Sequence, residues 1–240
     1  MNLVKLETEH NNIKSYIKRS CIICGIIFLI VFFVLLDGEV YRDTNLLQEE
    51  WPSVIYIVTM ISLFSFSILS AVMYSKFIVS EYSGKKAILL FSYPIKRAEI
   101  LKVKCGIITI FSFLSALFTC ALVFGSIVIA TIFSNPGQMF ISKDNAIYML
   151  QMLSVTIVFS VVTGLISGYI GMSGNSIQTT IVSAVINCVI AVQIIGYIYS
   201  GDYDAIHFTK AVVVIDLFML LLGIISYKML EFKIKAMELE

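Results

Sequence analysis

The stretch NAIYMLQMLSVTIVFSVVTGLISGYIGMSGNSIQTTIVSAVINCVIAVQIIGYIYSG, residues 145–201, contains no Asp, Glu, Lys or Arg. A helix needs roughly 20 apolar residues to cross the hydrocarbon core of a bilayer, where its backbone must satisfy its own hydrogen bonds. The stretch is too long for one such helix. Its middle, Gly171-Met172-Ser173-Gly174-Asn175-Ser176, has the glycines and polar residues of a turn. The reading is therefore two helices, at 146–170 and 177–199, joined by a short link.

Extending the same reading outward gives four more charge-poor runs. They lie at 20–36, 53–75, within 105–133, and at 211–230, where a single acid, Asp216, interrupts the apolar residues. The composition agrees: 59% of the 240 residues are hydrophobic and 14% charged, against nearly half and a quarter for a soluble domain. The chain reads as one all-α transmembrane domain over 1–240. No basic stripe supports nucleic-acid binding, and three prolines with thirteen glycines do not make a disordered or fibrous chain.

Lys and Arg set the orientation, because positive charge is retained on the cytoplasmic side. With the N-terminus inside, residues 1–19 hold four basic residues, the loop 76–104 holds seven, and the C-terminal segment adds Lys228, Lys233 and Lys235, whereas the outside holds three, Arg42, Lys143 and Lys210. Merging the helices on either side of 171–176 would put the C-terminal lysines outside. Six spans with both termini cytoplasmic is the better count. The run 20–36 is longer than a signal-peptide core and no small-residue cleavage site follows it, so it is expected to be a retained helix. Before it, Leu3, Leu6, Ile13 and Ile17 fall on one helical face. Residues 1–19 are thus expected to form an amphipathic helix along the inner membrane surface.

Absent constellations exclude several chemistries. There is no G-x-x-x-x-G-K-[ST]: Gly84-Lys85-Lys86 lacks the upstream glycine and the hydroxyl residue, so this chain does not bind ATP by itself. His10 and His207, the two histidines, fall on opposite sides of the membrane, which excludes a His-metal site or a His-based triad. Cys21 and Cys24 form a C-x-x-C inside an apolar run with no second ligand pair, and are read as packing residues, like Cys105, Cys120 and Cys188. Glu49-Glu50 reads as solvated outer loop. No catalytic or metal site is expected.

The inner loop 76–104 is the most structured polar stretch. Gly84 and Pro94 bracket about two and a half helical turns, with Ala87, Leu90 and Phe91 able to share one face. An amphipathic helix of that kind has to dock on something. The ordered set Glu81-Tyr82-x-Gly84, Leu89-Leu90, Ser92-Tyr93-Pro94-Ile95, Arg97 and Ile100-Leu101-x-x-Lys104 resembles the first cytoplasmic loop of ABC-2 type transporter permeases. Lys85 departs from that pattern, in which threonine commonly follows the glycine.

The resemblance covers essentially the whole chain and implies a type V exporter-like permease fold, with the N-terminal interface helix and a cytoplasmic coupling helix that fits a groove on a separate ATPase subunit. It implies two copies of that ATPase, which bind ATP and Mg, and a second permease copy or a similar permease chain, all in a cell membrane, bacterial by the family's usual setting. Glu81 and Gly84 would stand at the coupling helix start, Ala87 and Leu90 on the docking face, and Tyr93, Pro94 and Arg97 at the exit. The inner turn with Gly171, Gly174 and Asn175 would make a second, smaller contact. The expected cargo is an amphipathic substrate, an antimicrobial or lantibiotic-like peptide or a drug, moved outward.

Two further features remain. Asp216 lies about 8 Å along its helix from the span's start at 1.5 Å per residue, and an intramembrane acid is a functional candidate. It would line the transport path, face an outer vestibule, or pair with Lys210; as an ion-coupling group it would define the alternative, an ATPase-independent channel or carrier. Gly164 and Gly168 form a G-x-x-x-G, read as a close helix-packing site. The outside, with eight acidic and three basic residues, would favour cationic molecules.

Overall fold

The computed structural model describes residues 7–8, 12–36, 44–82, 97–134, 143–200 and 205–236. These form six long helices: α1 Ile13–Leu36, α2 Thr44–Tyr74, α3 Arg97–Ser134, α4 Lys143–Ser173, α5 Ile177–Ser200 and α6 Ala205–Ala236. Past Tyr74 the chain stays helical, through a π turn at Ser75–Val79 and a last turn at Ser80–Tyr82. Among the described residues five helices are long and apolar enough to cross a membrane, within Ile55–Tyr82, Glu99–Val123, Ile147–Ser173, Ile177–Ile198 and Thr209–Ala236.

Helix α4 is the hub, packed against α2, α3, α5 and α6, while α1 lies against α3 and α2. Glycine spacing explains the closest contact, between α4 and α2. A methyl group on Gly168 would stand 2.9 Å from the Tyr74 ring, and one on Gly164 would overlap the Ser70 hydroxyl. The G-x-x-x-G is a packing seam, as its spacing predicts.

Outward faces are apolar: Phe33, Ile110, Leu150, Val182, Leu221 and Ile224 are all exposed. This inversion suits a chain whose solvent is lipid. The interior is rich in serine and threonine, and most of these return their hydroxyl to their own helix. Thr59 donates to the Ile55 carbonyl at 2.7 Å, Ser62 to Val58 at 2.8 Å and Thr156 to Met152 at 2.9 Å. A hydroxyl satisfied within its own helix is cheap to bury without water.

Several expected boundaries move. Charge marked the span ends in the sequence, but charged residues continue the helices: α2 and its extension reach Tyr82 and α3 starts at Arg97, so the 76–104 segment is helical at both ends. Lys76 stays exposed while Phe77, Ile78 and Val79 are buried, so the helix continues past the charge that was expected to stop it. Residues 13–19 run without a break into the helix that holds 20–36. On that helix the buried stripe is Tyr16, Ser20, Cys24, Ile27 and Val31, whereas Ile17 is 49% exposed. The aromatic ring of Tyr16 packs against Phe77, the ring centroids 5.3 Å apart in edge contact.

Candidate functional site

The inner turn, the two stems of the 83–96 loop and the start of α1 come together at one end of the bundle. The structure starts from a local defect. In the π turn the Ser80 amide reaches the Ser75 carbonyl five residues back, where an α-helix would bond four back, and such insertions displace the normal ladder. Ser75 donates its hydroxyl to the Val72 carbonyl at 2.8 Å. The Phe77 carbonyl accepts the Lys104 ammonium, Nζ to O 3.0 Å.

Lys104 is 1% exposed and sits two turns into α3. Besides the carbonyl, its Nζ donates to the Glu81 carboxylate and lies 3.6 Å from Glu7 Oε2. One ammonium therefore joins three chain segments: the N-terminal segment, the stem that leaves α2, and the stem that enters α3. Charge-assisted bonds of this kind fix orientation where apolar contacts leave sliding freedom. Around it Tyr82, Leu101 and Cys105 are buried.

The inner turn abuts the same π turn. Thr180 and Val79 both crowd Gly171, where a methyl would overlap the Thr180 hydroxyl and stand 3.2 Å from Val79 Cγ2. Asn175 has φ 48°, a left-handed conformation that asparagine tolerates and that commonly ends helices. The Gly174 amide bonds the Ile170 carbonyl at 2.9 Å and the Ser176 amide the Gly171 carbonyl at 3.2 Å. Lys233 of α6 supplies a donor for another end carbonyl, Nζ to Met172 O 2.8 Å. The last helix is thus tied to the turn.

Tyr16 closes this end. The Arg19 guanidinium lies 5.1 Å from its ring centre. Burial pushes the phenol above its ordinary range, against a smaller opposite effect of Arg19. The ring therefore stays neutral at physiological pH and acts as a packing group.

Of the expected coupling residues, the structure positions Glu81 at this junction and Arg97 at the first position of α3. Gly84, Ala87, Leu90, Tyr93 and Pro94 lie outside the described residues. Gly174 and Asn175 form the turn as expected, while Gly171, expected in it, lies in the last turn of α4. Lys104 and Glu7 were missed as site residues. Lys104 was counted as one loop charge among seven and as the last residue of the permease-like set, but was given no role of its own.

Asp216 sits elsewhere, half-buried between α6 and α4. It does not pair with Lys210; its Oδ2 accepts the Ser154 hydroxyl at 2.8 Å, because one residue short of two full turns separates Lys210 from it while Ser154 faces it directly. Nearby, Gln151 Nε2 donates to Thr209 Oγ1 at 2.8 Å. Oδ1 of Asp216 is buried without a hydrogen bond. A cavity of about 40 Å³ lies between α2, α3 and α4, lined by Val58, Ser62, Cys120, Met149, Met152 and Thr156 among others, and Asp216 is not part of its wall. In the C-x-x-C, Cys21 is exposed and Cys24 buried, with Cys24 Sγ 2.9 Å from Thr119 Oγ1. The two thiols thus face different surroundings.

Fold and outward apolar faces together define a helical membrane protein with at least five helices suited to spanning. The chain is 26% identical over 195 residues, 78% of its length, to a Bacillus subtilis (strain 168) protein called uncharacterized protein YcbO, of which the match covers 81%. No family model matches the chain, and no solved structure matches it.

Proposed function

We propose that this chain is the permease subunit of an ATP-driven exporter of the ABC-2 type, with six spans and both termini in the cytoplasm. Helix α1 supplies the sixth span. The 83–96 loop docks on a separate ATPase subunit, two copies of which bind ATP and Mg and serve a pair of permease chains in a bacterial cell membrane. The cargo is an amphipathic peptide of antimicrobial type or a drug; the chain itself catalyses no reaction.

One observation carries this reading. Both stems of the loop are fastened to each other through Lys104, Glu81 and the Phe77 carbonyl, and the π turn at their base lies against the second inner turn at Gly171. A movement imposed on such a loop is passed to α2, α3, α4 and α5 instead of being absorbed by slack, as a rigid-body transition between packed states requires. Leu90→Asp and Gly84→Pro test it: each should abolish ATP-dependent export in proteoliposomes while membrane insertion stays normal. Full export by either variant, with the ATPase bound as in the wild type, would refute docking through this loop.

A second reading, an ATPase-independent channel or ion-coupled carrier, is favoured by the unpaired Oδ1 of Asp216. It predicts that Asp216→Asn abolishes transport and that changes in the 83–96 loop are tolerated.

A further inference from the structure

We propose that Lys104 is a positioning residue that locks three chain segments into one body, with Glu7 and Glu81 sharing its ammonium, so that the N-terminal segment sets how stiffly the loop is held. The inference rests on the exporter reading for its consequence in transport, but its geometry does not depend on any ATPase.

A connection that only joined two helices would have no use for a buried ammonium here. Leu101 and Ile108, on the same side of α3, are both completely buried, so apolar packing already anchors the helix. What Lys104 adds is direction. Its bond to the Phe77 carbonyl is 3.0 Å long and recruits the π turn; its bond to Glu81 holds the last turn before the loop; and Glu7, at 3.6 Å, brings in residues that precede α1. The position of the N-terminal segment is therefore read by the loop stems through a shared charge.

Lys76 and Lys102 are exposed on the two stems and serve as spin-label sites once replaced by cysteine, in a background where Cys21 and Cys120 are replaced and the buried Cys24, Cys105 and Cys188 are left unlabelled. In lipid nanodiscs the parent chain should give one narrow distance distribution. Glu81→Gln should broaden it, Glu7→Gln should shift or broaden it to a lesser degree, Lys104→Met should broaden it most, and Lys104→Arg, which keeps the charge and the donors, should restore the parent distribution. In the complex with its ATPase, Glu81→Gln should lower transport per ATP hydrolysed about tenfold, within the common range of coupling effects, with the ATPase still bound. Unchanged distances in both Glu7→Gln and Glu81→Gln would overturn the clamp. Broadened distances in a chain that recruits no ATPase would uphold the clamp and remove the exporter reading, so the two failures are distinct.

Discussion

Lys104 and Asp216 are both ionisable side chains drawn into the helix bundle, and they are held in opposite ways. Lys104 is almost fully buried, with two carboxylates and a carbonyl from two other chain segments around it. Asp216 is half-buried, takes one hydroxyl bond from Ser154, and leaves its other oxygen unpaired. A charge with several partners on separate segments fixes those segments relative to one another. A charge with one neutral partner marks a local contact between two helices. The sequence alone ranked them the other way, because an acid inside an apolar run is conspicuous and a lysine at its edge is not.

The sharpest way to break this contrast is to neutralise both. Lys104→Met removes the ammonium that Glu81 and Glu7 share, and removal of one partner from a buried pair typically costs about 3–5 kcal/mol. Unfolding in graded SDS should move to correspondingly lower denaturant. Gly168→Leu comes next: it forces α4 away from Tyr74, with overpacking costs of about 1–3 kcal/mol, seen in the same assay. Asp216→Asn should cost less than about 1 kcal/mol, because the amide keeps an oxygen for Ser154 and polar pairs between membrane helices are individually weak. It should also leave export intact; if export is lost while stability holds, the contrast reverses and the carrier reading gains. The smallest effect belongs to Thr119→Val. It removes the contact with Cys24 Sγ and the bond to the Ser115 carbonyl at 3.0 Å, for about 0.5 kcal/mol.

Helix existence was legible because absence of charge over about 20 residues has few other causes in a folded chain. The uncharged stretch 145–201 divides at Gly174–Ser176 in the structure, inside the link 171–176 read from the sequence, since a left-handed Asn175 suits a helix end and Gly171 allows a close contact. Helix ends were less legible. Charge was used as the boundary, yet Lys104 continues a helix by finding carboxylates that lie 23 and 97 residues away in sequence, and Lys76 continues one by facing outward. The π turn had no sequence signal: Ser75 was read as the end of a span and Lys76-Phe77-Ile78-Val79 as the start of the inner loop. Ile17 was placed on an apolar face toward the membrane surface and stays exposed, whereas the inward-packing Tyr16, in edge contact with Phe77, was not singled out.

The most direct measurement is purification of the tagged chain in mild detergent, with mass spectrometry of the bound proteins and an ATPase assay on the eluate. The exporter reading predicts that an ATPase subunit is recovered, that the eluate hydrolyses ATP, and that Leu90→Asp depletes that subunit. A chain that elutes alone and inactive, again in nanodiscs with candidate ATPases co-expressed, would contradict it.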